Sequence, residues 1–394
     1  ARLHADEADG HLLPWLAARS REELLEIGRQ FDFPVAPVRR IDEVMADEQF
    51  AHRGSLRPLA VPGRTSPVRV PDAPWRLSAV QEAGAAGRRR ADAGPPAEER
   101  TPSSLLGGLR VLDLSWVWSG PMVTSILADH GAEVIKIEHP SRLDSLRLRG
   151  RALKDGREIE GPDGEVNPWF NQLNHGKKSA IVDIKSEEGR EQILSLAASC
   201  DIVVENMRPG ALDRLGIGYA DLALRNPSLV MLSMSMAGQA GPLSQMKGYA
   251  GIMSAMAGLE ALVGYAGEAS DETVGMTMTA LGDPNAALHA VTVLMAALHR
   301  RRATGKGLWI DLAQTDAVLA IMNGPLIEWQ VAGSVPILEN RHPVHVPHGH
   351  FPCAGEDSWA AIAIVSERHW QGLAELAGAA LAPFAALDAT GRSR

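Results

Sequence analysis

The sequence predicts an α/β protein: a doubly wound, Rossmann-like parallel sheet with a smaller second domain. Two observations carry this. From Leu109 onward, short apolar runs alternate with segments of helical periodicity, the pattern of parallel strands joined by crossover helices. The chain has 394 residues, 45% hydrophobic and 22% charged, enough for two or three domains and a substantial core.

Taken in order, residues 1–81 read as a small alternating unit. Ser20-Arg-Glu-Glu23 fits a capping box, and Leu24, Leu25 and Ile27 give the helix behind it an apolar side. Phe33–Val38 is extended, Asp42 is placed to cap a second helix through Met45, and Arg57–Val70 reads as strands broken at Pro62-Gly63. Residues 82–106 are rich in Ala, Gly, Arg, Pro and Glu without periodicity, which predicts a flexible linker.

Residues 107–335 carry the sheet. Leu109–Leu114 is a strand, Gly120-Pro121 opens a helix with Val123, Ile126 and Leu127, and Glu133–Ile137 is the next strand. Ser179–Ile184 leads to Ser186, an N-cap for a helix through Leu196, and strands Asp201–Glu205 and Leu229–Ser233 follow. Ligands of such sheets bind beyond the carboxyl ends of the strands. That puts Ser115–Gly120, Glu138-His139 and Asn206–Arg208 on the ligand-facing rim.

Thr279-Ala-Leu-Gly-Asp283-Pro-Asn-Ala-Ala-Leu288 opens the longest helix, with Asp283 as N-cap and Pro284 in the first helical position. Leu288, Val291, Leu294, Met295 and Leu298 form an apolar face that must be buried, and His299–Arg302 followed by Gly305 close the helix. A carboxylate at a helix mouth is expected to stay ionised, and is then either a cap alone or a nucleophile. Beyond this helix come strand Gly307–Leu312, a helix from Gln314 to Val331, a Pro- and His-rich loop over Glu339–Cys353, strand Trp359–Ile364 and a last helix around Trp370. Residues 336–394 are read as the start of a small domain.

The bulk numbers exclude several classes. A net charge of -9 argues against a general nucleic-acid binder. No apolar run reaches membrane-spanning length, since Gly251–Ala269 is broken by Glu260 and Glu268. Two cysteines, Cys200 and Cys353, are too few for a disulfide framework, which fits a cytoplasmic protein. No G-x-G-x-x-G or Walker A sequence supports a nicotinamide or nucleotide-hydrolysis reading.

The chain resembles the class III CoA-transferases, the CaiB/BaiF family. The resemblance lies in Leu109–Leu114, Ser119-Gly-Pro121, Leu127–Glu138, Gly176-Lys-Lys-Ser179, Asp183–Gly189, Val204–Gly216, Asn226-Pro227 and Thr304–Gly307, in the family's order. It implies a CoA-binding Rossmann-like fold and a catalytic aspartate, here Asp283. It implies CoA contacts at Val117, Trp118, His139, Val182, Lys185, Asn206, Met207, Ala211, Arg214, Lys247 and Tyr249. His139 stands where an arginine often meets the adenine nucleotide. No tightly bound cofactor is implied, coenzyme A or acyl-CoA being substrate, and no metal. The implied activity is transfer of CoA from an acyl-CoA to a carboxylic acid through an aspartyl mixed anhydride and an aspartyl-CoA thioester. Alternatives left open are α-methylacyl-CoA racemase-like or CoA-dependent lyase activity, or a non-catalytic CoA-binding half. Tyr249 bears on them: the racemase branch has a histidine there as acid/base partner, and tyrosine, with an ordinary pKa of about 10, is a poor replacement.

Two departures accompany the resemblance. A glycine-rich loop of family transferases is matched here by Arg341–Cys353, which holds Gly349 alone among glycines, and whose Pro343, Pro347 and Pro352 interrupt metal-ligand spacing among its histidines. Residues 1–81 resemble the end of a family member, which suggests the tail of a preceding repeat in a tandem fusion. The partner expected is then a second repeat in an intrachain pseudo-dimer, or a second chain in an interlocked homodimer.

Overall fold

The computed structural model describes residues 5–78, 104–139, 141–150, 153–162, 164–264, 281–339, 342–384, 387 and 391. The N-terminal part holds α1 (Ala5–Ala17), α2 (Arg21–Phe31), α3 (Ile41–Met45), α4 (Glu48–Arg53), β1 (Leu56–Leu59), β2 (Val68–Pro71) and β3 (Trp75–Ser78). Then follow β4 (Arg110–Asp113), α5 (Ser119–Asp129), β5 (Glu133–Glu138), the hairpin β6 (Leu153–Lys154) and β7 (Arg157–Glu158), α6 (Pro168–Asn174), β8 (Lys178–Ile181), α7 (Glu187–Ala198) and β9 (Ile202–Glu205). Next come α8 (Ala211–Arg214), α9 (Tyr219–Arg225), β10 (Val230–Ser235), α10 (Ala250–Met256), α11 (Gly282–Thr304), β11 (Leu308–Ala313), α12 (Gln314–Ile321) and α13 (Asn323–Ala332). The order closes with β12 (His348–Pro352), β13 (Trp359–Ala363) and α14 (Glu367–Ala377). The linker expected over 82–106 lies outside the described residues except for Ser104–Leu106.

Seven strands form the central sheet in the order β3-β11-β10-β9-β4-β5-β8. All neighbours run parallel except β3, which lies antiparallel on β11 at the edge. The chain steps outward from β4 through β5 to β8, returns to β9 on the other side of β4, and steps outward again to β11. The topological switch, where such sheets open a ligand crevice, is therefore between β4 and β9. Successive strand residues point to opposite faces. Val111, Ile202 and Val230 pack with α5 and α11, while Leu112, Val203 and Met231 pack with α7, α8 and α9. The expectation of a doubly wound sheet holds.

Local signals explain most boundaries. Ser20 and Glu23 form the capping box ahead of α2, and Ser186 caps α7 by accepting the Gly189 amide. Gly305 ends α11 in the left-handed conformation, φ 68°, which glycine adopts without steric cost. Three expectations need correction. The helix expected from Gln314 to Val331 breaks at Met322, because Pro325 cannot donate the helical bond one turn back. Leu288 is 57% exposed, and the buried face of α11 is built on Ala286, Ala287, Ala290 and Ala297 with Val293, Leu294 and Leu298. Small side chains there let the helix axis approach its neighbours closely. The last third of the Pro- and His-rich loop is largely strand β12, paired antiparallel with β13 from His348↔Ala363 to Pro352↔Trp359.

The described residues fall into two compact units, one within Ala1–Leu259 and Met278–Gly333, the other within Glu260–Thr277 and Ser334–Arg394. In the first, the N-terminal segment is locked on by α4. Arg53 is buried and ion-paired to Asp311 at 2.7 Å and Asp316 at 2.9 Å, while the Gln49 amide donates to the carbonyls of Ala237 and Ala240. Gly238 is required beside it, since a Cβ there would come within 1.9 Å of the Arg53 guanidinium. In the second unit, β12 pairs with β13, and Trp370 on α14 is buried.

Candidate active site

In the loop after β4, five backbone polar groups from Ser115 to Val117 are held by side chains. The Ser115 amide donates to Asp113 at 2.9 Å, and Lys136 Nζ donates to the Ser115 carbonyl at 2.8 Å. Asn206, just past β9, closes Trp116 from both sides: its Oδ1 accepts the Trp116 amide at 2.8 Å and its Nδ2 donates to the Trp116 carbonyl at 2.7 Å. The Val117 amide donates to Asp144 at 3.0 Å. Val117 itself is left-handed at φ 67°, a conformation that costs a β-branched residue about 1–3 kcal/mol and persists only where surroundings over-determine it. The bonds just named supply that determination.

Beneath the loop lies a buried charge network. Asp113, 0% exposed, meets Lys177 Nζ at 3.0 Å and accepts the hydroxyls of Ser115 and Thr124. Burial opposes its charge, but the positive fields of Lys177 and Lys136 together with the two hydroxyls outweigh it and hold the carboxyl at about 2. Lys177 also donates to the Pro121 carbonyl at 2.9 Å, which ties the start of α5 to β4.

This scaffold delivers Ser119, 1% exposed, as the first residue of α5, which packs against α11. Asp283 lies in the first turn of α11, close enough to Ser119 for the Ser119 hydroxyl and backbone amide to favour the charged form of its carboxyl group. Here the sequence reading is corrected twice. The helix starts at Gly282, so Leu281 takes the cap position and Asp283 is the second helical residue. Burial is the largest influence on Asp283 and pushes its carboxyl above the usual range; the Ser119 hydroxyl, the Ser119 amide and its own amide pull the other way. The helix mouth alone does not decide its charge. On its other side, Gly282 is pressed on Ala250, 3.0 Å from the position of a Cβ, which brings the start of α10 and its preceding residue, Tyr249, up to the α11 terminus. Tyr249 is 58% exposed.

The other expected contacts fall into two groups on the same carboxyl-end rim. At β5 and β8, His139 Nε2 lies 3.0 Å from Asp183, Val182 is buried, and Lys185 is exposed with its amide on Asp183. Beyond β9, the Met207 amide donates to Glu205 at 2.7 Å, and Ala211 and Arg214 lie on α8. Glu205 is fully buried, and burial pushes its carboxyl up to about 7 against the pull of Ser233 and the Met207 amide. Lys247 is exposed and bonded to Asp32. Trp118 packs edge-on to Trp169 with centroids 5.8 Å apart, and joins Val117 against Leu146, Phe170 and Leu173.

Sequence reasoning missed Ser119 as the partner of Asp283, although Ser119-Gly-Pro121 was visible, and missed Lys177 and Asp144 as supports. Their bonds span 64 and 27 residues, a separation that local pattern does not reveal. Among the described residues, no group of His, Cys, Asp and Glu is arranged to hold a metal ion, and no helix is long and apolar enough to cross a membrane.

A doubly wound, mostly parallel sheet with a half-buried carboxyl at the mouth of a crossover helix defines an α/β protein of the Rossmann type. The description CoA-transferase family III matches residues 1–92 and 106–392, and the chain belongs to that family. It is 35% identical over 271 residues to the acetyl-CoA:oxalate CoA-transferase of Acetobacter aceti, covering 66% of this chain and 66% of that protein. It is 33% identical over 278 residues to the succinyl-CoA–D-citramalate CoA-transferase of Chloroflexus aurantiacus, covering 70% of this chain and 66% of the relative. The chain thus spans 66% of the length of either relative. A CaiB/BaiF family protein from Brucella suis superposes with a TM-score of 0.64 at 29% identity, covering 74% of both chains.

Proposed function

We propose that the protein transfers CoA from an acyl-CoA thioester to a small carboxylic acid, with Asp283 as nucleophile. The observation that carries this is the Asp283 carboxyl, half-buried at the mouth of α11, with the Ser119 hydroxyl and amide favouring its charged form. The named activities of the relatives, with acetyl-CoA and oxalate or succinyl-CoA and citramalate, support short acyl donors and small acid acceptors.

In the proposed sequence, ionised Asp283 attacks the thioester carbonyl, the C–S bond breaks, and CoA leaves as thiolate from a mixed anhydride. The thiolate then attacks the Asp283 carbonyl, the bond to the donor acid breaks, and the donor carboxylate departs from an aspartyl-CoA thioester. The acceptor carboxylate repeats both steps in reverse, regenerating the free Asp283 carboxylate. Each step exchanges one acyl bond for another and leaves no proton unaccounted for. Burial makes the Asp283 carboxylate a stronger nucleophile once ionised, and the Ser119 donors keep that form accessible. The same donors are positioned to stabilise negative charge that develops on the aspartyl oxygen when thiolate attacks. Val117, Trp118, His139, Val182, Lys185, Asn206, Met207, Ala211, Arg214 and Lys247 are the proposed CoA contacts.

Tyr249 disfavours the racemase alternative, since a phenol is a weak base near neutral pH. The test is exchange of labelled carboxylates into acyl-CoA by wild-type and Asp283→Ala protein. Loss of exchange in the variant supports the covalent role, and undiminished exchange sinks it. Deuterium entering the α-carbon without CoA exchange would instead install the racemase reading.

A further inference from the structure

Asp32 ends α2 in the left-handed conformation, φ 57°, and its carboxylate is gripped by two cations from elsewhere in the fold. Lys247 Nζ donates to its side chain at 2.6 Å and to its main-chain oxygen at 3.1 Å. The guanidinium of Arg208, two residues past Asn206, donates to the second carboxylate oxygen. A cavity of about 340 Å³ opens beside the three side chains, lined also by Arg29, Phe33, Gln245 and Met246. The hydrogen bonds from Lys247 and Arg208 hold the Asp32 carboxyl below its usual range, so it is anionic at neutral pH.

Two cations converging on one point beside an open cavity form a site for an anion of higher charge than a carboxylate. A terminal phosphate carries roughly -1.5 to -2 at neutral pH and three acceptor oxygens, and matches an arginine fork and a lysine point charge better than one carboxylate does. Asp32, Arg208 and Lys247 keep 56%, 40% and 42% of their side-chain surface exposed, so water screens the internal pairs and they yield readily.

We propose that Arg208 and Lys247 form a phosphate-binding site that Asp32 occupies in the free protein, and that a phosphate-bearing ligand enters by displacing Asp32. On the CoA reading above, on which this rests, the displacing group is a phosphate of the nucleotide end of CoA. Asp32 then sets the apparent affinity, because the site is open only for the fraction of time that its own carboxylate is away.

The test is calorimetric titration of CoA, of adenosine 3′-phosphate 5′-diphosphate, of acetyl-pantetheine and of inorganic pyrophosphate into wild-type and Asp32→Asn protein. Asparagine keeps the left-handed helix end and removes only the charge. The three phosphate ligands are expected to bind the variant about threefold to tenfold more tightly, the worth of relieving exposed ion pairs, with the gain shrinking as salt is raised. Acetyl-pantetheine, which lacks phosphate, is expected to bind both proteins equally. CoA affinity indifferent to Asp32, or an equal gain for acetyl-pantetheine, overturns the inference and leaves the CoA reading intact. Pyrophosphate that binds more tightly to the variant, with no binding of CoA to either protein, overturns the CoA reading and keeps the anion site.

Discussion

The side-chain amide of Asn206 accepts the Trp116 N–H at 2.8 Å and donates to the Trp116 C=O at 2.7 Å. This two-way clamp bridges the ends of β9 and β4 at the point where the sheet reverses its strand order, and it fixes the loop that carries Ser119. In Asn206→Asp the donor to the carbonyl becomes an acceptor, so one bond turns into a repulsion. The expected outcome is a loss of about 1–3 kcal/mol in stability, read by denaturant unfolding, with kcat reduced more than KM is raised. A variant with wild-type stability and turnover would contradict the clamp.

Ser119→Ala removes the hydroxyl donor from Asp283. Burial already raises this carboxyl, so loss of the donor raises it further, and the rate lost on acidification is lost at higher pH than in the wild type. At acidic pH the variant is expected to be slower by about tenfold or more, the worth of one hydrogen bond to a charged group, with the gap narrowing at alkaline pH. A pH–rate profile of kcat/KM checks this. A uniform loss at all pH values would assign Ser119 a packing role instead.

Glu205 titrates at about 7 in the fold against an ordinary value of 4.5. A carboxyl raised on folding stabilises the protein below its unfolded value, and that contribution is lost as pH rises through the folded value. Between pH 4.5 and 7 this single group is expected to remove about 3 kcal/mol of stability. Unfolding midpoints measured across that range should fall in the wild type and stay flatter in Glu205→Gln. Parallel curves would show that Glu205 does not titrate there.

Arg53→Ala strips both buried ion pairs and leaves Asp311 and Asp316 uncompensated. The expected destabilisation is about 3–5 kcal/mol. It should appear with loss of protection at β3, the edge strand of the N-terminal segment, in hydrogen exchange. Unchanged protection at β3 would mean that the segment is held by other contacts.

The sheet was legible because buried strands and crossover helices leave local signatures: Glu133–Ile137 and Asp201–Glu205 read as strands, and Ser186 as a cap, from composition alone. The antiparallel edge strand β3 was not, because Trp75–Ser78 pairs with β11 across more than 200 residues of chain. At the site, Asp283 was found through its place before a long helix and through the family resemblance. Its electrostatics were misread, because desolvation depends on what packs over the helix mouth, and the sequence shows only the helix. Asp42 shows the same limit on a smaller scale: it lies inside the first turn of α3, whose cap position is Arg40, with Glu43 accepting the Arg40 amide.

The most direct test of the account is covalent. The protein is incubated with an acyl-CoA, quenched with hydroxylamine and digested, and the peptide spanning Gly282 to Arg300 is sequenced by mass spectrometry. The account predicts a hydroxamate on Asp283 that depends on acyl-CoA and disappears in Asp283→Asn. Steady CoA transfer with Asp283 unmodified, or with the hydroxamate on another carboxyl group, would contradict it.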